Sequence, residues 1–333
     1  MVLIIARGWR EQATPWASRP DFQTPNLAKF AEGAAVFPRA YSASPSPGPA
    51  RAATATGRFP HVNGVVRDGA ALNAQEVTME AVLGLAGYHT SEGLPSLAKK
   101  PAAPFYVKIQ LDPPENPKPV DASKLQLPEN IPSEFANARE DLAKYYGALK
   151  GIDEQLGRVM AAIPDNTVAI FLSDCGAQIG SHGIAGNDVP FEETERIPLA
   201  IRFPGVVMPG ASDLLVSQVD LLPTLLALCG QPAFEGIQGR NLAPLLLGGA
   251  GERPEWVFAE GKIGDRDEWR MLVQGMDKIV VDANGEVLEL YNLADDPHEM
   301  NNRAQDSSVQ LKRDQLLAVM RTVRSQLLDF RRR

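Results

Sequence analysis

The apolar positions of the chain fall into two textures. In the first, short unbroken apolar runs alternate with stretches of helical period. Residues 2–6 are apolar without interruption, the pattern of a short strand buried on both faces of a parallel sheet. Thr24-Pro25-Asn26-Leu27 predicts a helix start, with Thr24 as N-cap and Pro25 in the first turn, where its missing N–H costs nothing. Leu27, Phe30 and Ala31 give that helix its apolar face and Gly33 its stop. Val36 and Phe37 open another extended piece. The turn at 44–49 feeds a helix of small residues over 50–56, and a further helix is predicted over 76–85. Residues 105–111 read as a strand. From 133 to 163, apolar residues including Leu142, Leu149, Ile152, Leu156 and Val159 recur on one stripe of a helix, with Ser133 as cap and Pro164 as stop. Strands at 167–172 and 197–203 and a helix over 220–228 follow.

After about residue 252 the texture changes. Short strands at 256–259, 269–273, 278–281 and 287–291 are separated by turns such as Asp282-Ala283-Asn284-Gly285, and a helix runs from 308 to about 330. Alternation followed by hairpins implies an α/β fold: a large mixed, mostly parallel sheet flanked by helices over residues 1–250. A smaller antiparallel sheet with a closing helix is expected over 251–333.

Composition narrows the function. With 44% hydrophobic residues the chain can bury a core, which excludes disorder. Lys and Arg number 33 against 41 Asp and Glu, so 33 − 41 = −8, and this balance excludes a general nucleic-acid surface. Two cysteines, Cys175 and Cys229, exclude a disulfide framework. There is no apolar run of transmembrane length, and the apolar start at 2–6 is too short for a signal-peptide core, so a cytoplasmic location is the expectation for the chain as written.

A series of motifs then occurs in order along nearly the whole length. It includes Thr24-Pro25-Asn26-Leu27, Ala40-Tyr41-Ser42-Ala43-Ser44-Pro45, Thr56-Gly57-Arg58 and Gly87-Tyr88-His89-Thr90. Further on come Ser173-Asp174 with Gly176, Gly180 with His182-Gly183, Pro190-Phe191-Glu192-Glu193-Thr194, Val219-Asp220-Leu221 and Glu289-Leu290-Tyr291 with Asp296-Pro297. In this series the chain resembles the sulfatase family of the alkaline-phosphatase-like superfamily. That resemblance implies hydrolysis of sulfate esters by a cysteine-derived formylglycine, with a divalent cation, usually calcium, held by acidic ligands.

Against the family's pattern, much of that chemistry is missing. The segment matching the nucleophile signature reads Pro47-Gly48-Pro49-Ala50-Arg51, so the nucleophile position is Pro47, which has no atom to activate. Ser46 is one residue off and has no base assigned to it in the sequence. The positions of the family's four cation ligands read Arg7-Gly8 and Asp174-Cys175, leaving only Asp174, which cannot by itself supply the six to eight oxygens calcium takes. The expected histidine aligns with Glu115 and the expected lysine with Asn187. Cys175 and His182 have soft-metal chemistry, but a small buried residue and a structural hydrogen-bonder are the plainer readings.

From these losses the expectation is a catalytically inactive family member, a pseudoenzyme and not an enzyme. Its role would be protein-binding, scaffolding or complex-subunit, with other protein subunits or further copies of itself as partners and no cofactor. The alternatives are a sulfate or phosphate ester hydrolase with a rebuilt active site, for which Asp174, His182, Glu192 and Glu193 form the nearest acid–base cluster, and a non-hydrolysing site in which Arg7 and Arg51 hold a sulfate or phosphate anion. Arg7 is expected to replace the missing cation and pair with Asp174. The Pro-rich stretch 111–132 reads as a covering loop or as an arm laid on a partner, and Arg331-Arg332-Arg333 as a solvated tail.

Overall fold

Strand β1 (Val2–Ala6) is buried at every position because it lies inside a sheet, paired in parallel with β5 (Phe105–Leu111) on one side and β6 (Ala169–Ser173) on the other. This computed structural model describes residues 1–17, 22–99 and 101–327. The sheet extends past β5 to β4 (His89–Glu92), and past β6 to β8 (Leu199–Arg202), β2 (Ala35–Val36) and β9 (Gly210–Ala211). Pairings at the β4–β5–β1–β6 end are parallel, while β8 runs antiparallel to both β6 and β2. Side chains alternate between the faces, as a pleated strand requires. Val2, Ile4 and Ala6 pack with α1 (Pro25–Glu32) and α6 (Ala138–Ala162), whereas Leu3 and Ile5 pack with α4 (Met79–Leu85), α8 (Leu221–Leu228) and α9 (Ala243–Leu246).

A second, three-stranded sheet joins β3 (Ala40–Tyr41) to β7 (Arg196–Ile197) and β10 (Val216–Ser217). The C-terminal sheet is a meander of β11 (Trp256–Gly261), β12 (Trp269–Gln274), β13 (Asp277–Asp282) and β14 (Val287–Asn292), closed by α10 (Gln310–Gln326). Leu316, Met320 and Val323 of α10 bury against Leu272, Ile279 and Val281. Shorter helices are α2 (Pro47–Thr56), α3 (Pro60–Asn63), α5 (Leu94–Ala98) and α7 (Glu192–Glu195).

Local chemistry moves several predicted boundaries. Thr24 makes no side-chain cap; Asp153 of α6 does this work instead, accepting the Asn26 N–H at 3.1 Å and the Leu27 N–H at 2.8 Å. α6 starts at Ala138, after Asn137 in the left-handed region (φ 61°), so Ser133 is not its cap. α2 starts at Pro47, three residues earlier than its small-residue pattern, because prolines fit a first turn that needs few donors. Pro198 divides the expected strand over 197–203 into β7 and β8. The Pro-rich segment lies along α6: Val120 N–H donates to the Ala143 carbonyl at 3.1 Å, and Leu125 and Ile131 are buried. A Cβ on Gly147 would sit 2.2 Å from the Lys118 carbonyl oxygen, so only glycine admits that approach. Among the described residues no helix is long and apolar enough to cross a membrane. The expected basic tail, and the end of the expected final helix, lie outside the described residues.

Candidate active site

Parallel pairing of β1 with β6 delivers Arg7-Gly8 and Asp174-Cys175 to the same sheet edge, at the carboxyl ends of the strands, where open α/β sheets place their ligands. Asp174 is 1% exposed. Its Oδ1 accepts the N–H of Gly8 at 3.0 Å and its own neighbour's, Cys175, at 2.9 Å, while Oδ2 meets Arg51 Nη1 at 3.3 Å. Burial pushes the Asp174 carboxyl above its ordinary range, opposed by those two N–H groups and by Arg51. The expected pairing of Arg7 with Asp174 is not formed. Arg7 turns outward, 54% exposed, to Asp112 at 3.5 Å, because a long basic side chain is better solvated there and Arg51 already serves Asp174. Arg7 and Arg51 line two different cavities on either side of Asp174, which both of them attract.

Helix α2 carries the rest. Pro47 and Pro49 have no N–H, and the Ala50 N–H bonds the Ser46 carbonyl at 3.0 Å, so Gly48 supplies the first-turn donor. Asp68 Oδ1 takes it at 2.5 Å. Ser46, the N-cap, has extended backbone (φ −98°, ψ 130°) and does not cap its own helix. Its Oγ donates instead to Asp188 Oδ1 at 2.5 Å. The expectation that Ser46 lacks a base is therefore corrected: the loop after the 180–183 turn brings Asp188 to it. Ser46, Pro47, Asp68 and Asp188 line a cavity of about 590 Å³ together with Arg7, Gly8, Cys175 and Asn187.

The other expected residues divide. Cys175 is a buried free thiol whose pKa burial raises well above the ordinary value, with Asp174 adding to the rise, so it stays protonated. Asn187 ties its loop down, its Oδ1 accepting the Gln178 N–H at 2.8 Å. Glu115 is exposed in the Pro-rich segment and does not line this cavity. His182 is away from it too, stacked on Phe191 at 3.8 Å between ring centroids. Glu192 and Glu193, in α7 itself, are buried and do not line it.

The donor set at Arg7, Gly8, Asp174 and Cys175 does not fit a hard divalent cation. One carboxylate remains, with Oδ1 engaged by two backbone N–H groups and Oδ2 by a guanidinium, beside a protonated thiol. Sequence reasoning missed Asp68 and Asp188. Asp188 is next to Asn187, and Asp68 sits in the turn Arg67-Asp68-Gly69, but neither has a family motif to mark it.

The profile of the Sulfatase family matches residues 1–96 and 97–231, and that of the N-sulphoglucosamine sulphohydrolase C-terminal region matches 180–326. An endo-4-O-sulfatase of Bacteroides thetaiotaomicron is 26% identical over 285 residues, covering 73% of this chain and 55% of that protein. Arylsulfatase K of Danio rerio is 33% identical over 175 residues, covering 49% of this chain and 33% of that protein. The chain thus spans about half the length, or less, of these curated relatives. Among solved structures, BT4656 in complex with its substrate D-glucosamine-2-N,6-O-disulfate superposes with TM-score 0.87 at 18% identity, covering 98% of this chain and 97% of that one. The phosphonate monoester hydrolase SpPMH from Silicibacter pomeroyi superposes with TM-score 0.85 at 20% identity, covering 98% and 95%. These likenesses give the fold: the large mixed sheet, its flanking helices and the C-terminal antiparallel sheet.

They also correct the expectation of a pseudoenzyme serving as a scaffold or complex subunit. The relatives carry the names of working enzymes, namely an endo-4-O-sulfatase, an arylsulfatase and an N-acetylglucosamine-6-O-sulfatase, and none of these findings favours a non-enzyme. The expectation rested on the losses at Pro47, at the cation-ligand positions and at Glu115 and Asn187, and it overlooked the contact between the Ser46 hydroxyl and the Asp188 carboxylate. With the family profile covering residues 1–231 in register, this chain belongs to the sulfatase family.

Proposed function

We propose that this protein hydrolyses sulfate or phosphate esters at an active centre rebuilt around Ser46 and Asp188. The observation that carries this reading is the 2.5 Å contact from Ser46 Oγ to Asp188 Oδ1 at the mouth of the cavity. A serine hydroxyl is a weak nucleophile unless an adjacent base takes its proton, and here a carboxylate is within reach. Asp188 receives the hydroxyl proton as the Ser46 oxygen forms a bond to sulfur or phosphorus. The ester oxygen departs with its bonding pair and takes up a proton. Water then cleaves the Ser46 ester, releasing sulfate or phosphate and restoring the hydroxyl.

The chain's fixed charges favour that course unevenly. The start of α2 presents its positive dipole end to an anion. Arg51, whose side chain is 34% exposed, neutralises Asp174 behind it. Asp68 does the opposite, because its carboxylate occupies the Gly48 N–H that an anionic ester would use. The sulfatase names of the relatives support sulfate esters, and the phosphonate monoester hydrolase among the structural neighbours supports keeping phosphorus esters in the test.

The test is turnover of 4-nitrophenyl sulfate and 4-nitrophenyl phosphate by the purified protein, alongside Ser46→Ala and Asp188→Asn. Turnover abolished in both variants supports the reading. No turnover in the wild type, or turnover that survives Ser46→Ala, contradicts it, and saturable sulfate binding without turnover would leave an anion-binding protein in its place.

A further inference from the structure

A separate group of side chains lies beneath α7, where the large α/β unit meets the C-terminal sheet. His182 comes from the 180–183 turn, Glu193 from α7 and Glu299 from the loop after β14. One ligand atom of each lies within 4.8 Å of the others. None of the three lines the Ser46 cavity.

The charge around them does not balance. Glu192, Glu193, Glu195 and Glu299 are all at most 5% exposed. Lys278 Nζ meets Glu299 Oε1 at 2.6 Å and Glu192 Oε1 at 3.2 Å, and Arg196 reaches Glu192 Oε2 at 3.7 Å. Lys278 and Arg196 thus form ion pairs with Glu192 and Glu299, while among the described residues Glu193 and Glu195 form none with a lysine or arginine and feel only the longer-range attraction of Arg10 and Lys278 respectively. A second observation points to a missing ligand. Glu193 Oε2, on a side chain 6% exposed, has no hydrogen-bond donor among the described residues, and neither oxygen of the fully buried Glu195 has one. Buried acceptors are almost always satisfied, so a group of such oxygens calls for an explanation.

His182 completes the donor set. Its Nε2 lies 3.2 Å from Asn130 Nδ2 and 3.8 Å from Glu193 Oε2, and because the two amide hydrogens of Asn130 have Glu193 Oε1 at 2.7 Å and the His298 carbonyl at 3.3 Å as acceptors, the Nε2 lone pair is free for an ion. Asn130 also donates to Glu193 Oε1 at 2.7 Å, so Glu193 keeps this bond if Oε2 turns to a metal.

We propose that His182 Nε2, Glu193 Oε2 and a Glu299 carboxylate oxygen form a binding site for a single divalent cation of the zinc class. One imidazole with two carboxylates suits a borderline ion better than calcium, which takes six to eight oxygens. Ligand atoms around zinc stand about 3.3–3.5 Å apart, so side-chain rotations of about 1 Å close the site from its present spread. Glu299 already accepts Lys278 Nζ at Oε1 and the Glu192 N–H at Oε2, but each carboxylate oxygen keeps a second lone pair for the ion, whose charge offsets the surplus carboxylate. The ion would pin the loop over 180–188 to the C-terminal sheet, and that loop carries Asp188.

The test is calorimetric titration of the chelator-treated full chain with Zn²⁺ and, separately, an absorption spectrum with Co²⁺. One equivalent of Zn²⁺ should bind, and Glu193→Gln and His182→Asn should each weaken it by roughly 100-fold or more, beyond the loss that outer partners cause. Asparagine is chosen because His182 sits at φ 58°, a conformation asparagine tolerates. Ser46→Ala should bind as the wild type does. The Co²⁺ form should show the visible bands of a four- or five-coordinate nitrogen–oxygen site. Absence of saturable Zn²⁺ binding, equal binding by the variants, loss of binding in Ser46→Ala, or a Co²⁺ spectrum no different from the hydrated ion would each overturn the proposal. The spectrum uses the wild type alone, so the question is decided even where a variant fails to fold.

Discussion

The first turn of α2 and the seam beneath α7 both gather carboxylates, but in opposite surroundings. Around α2, Asp68 and Asp188 are exposed and bonded to a backbone N–H and a hydroxyl, and Arg51 covers the buried Asp174. Beneath α7, Glu192, Glu193, Glu195 and Glu299 are buried around the fully buried Lys278. Their surroundings decide where each can change. Exposed acids can be exchanged at small cost in stability, so a reaction centre can be rebuilt there. A buried ionic group cannot lose one partner without leaving another charge uncompensated, so it is held in place.

The largest effect should come from breaking the buried side. Lys278→Met leaves Glu192 and Glu299 without their ammonium and should cost about 3–5 kcal/mol, read as a lower urea midpoint. A change within 1 kcal/mol of the wild type would mean that the lysine does not hold the seam. Next comes the link between the two regions. Gly176 follows Cys175, and its N–H donates to the Thr194 carbonyl at 2.7 Å. A Cβ there would lie 1.9 Å from the Glu193 carbonyl oxygen. Gly176→Ala should cost about 1–3 kcal/mol in unfolding free energy by overpacking, and should lower turnover at Ser46 as well. Loss of stability with turnover unchanged would show that the seam and the mouth are not mechanically joined.

On the exposed side the changes should be smaller. Asp68→Asn removes the carboxylate that competes for the Gly48 N–H. It should tighten sulfate binding by up to about tenfold, corresponding to about 1.4 kcal/mol, with little change in the urea midpoint. Weaker sulfate binding would mean that Asp68 organises the mouth rather than obstructing it. The smallest effect lies at His61, whose Nδ1 is 2.7 Å from the buried Glu260. Burial alone would lower its pKa, but the hydrogen bond and charge of Glu260 and the Leu327 carbonyl outweigh burial and leave it raised. The imidazolium's stabilisation is therefore present below about pH 6.5, the unfolded value, and is lost as pH rises through the higher folded value. In His61→Gln this fall should disappear from the stability–pH curve. An unchanged curve would assign the fall to another group.

Much of the scaffold was legible because its signals are periodic. The unbroken run at 2–6, the apolar stripe of α6 and the four hairpin strands each fix a face. What was not legible depends on contacts distant in sequence. Thr24 looked like the cap of α1, but Asp153, 129 positions on from Thr24 in the same numbering, supplies the bonds to Asn26 and Leu27. Arg7 looked like a partner for Asp174, yet Arg51 reaches it first. Motif comparison located the vacated positions at Pro47, Gly8 and Cys175. It could not find the Ser46–Asp188 pair, because a hydrogen bond between residues 142 positions apart leaves no local pattern.

Under the proposed mechanism Ser46 makes the attack that Pro47 cannot. Incubation with 4-nitrophenyl sulfate followed by rapid acid quench and intact-mass measurement addresses it directly. The quenched protein should gain one SO₃ group, mapped by peptide fragmentation to Ser46 and absent from Ser46→Ala. Nitrophenol release with the mass increment on any other residue, or release that continues undiminished in Ser46→Ala, would contradict it.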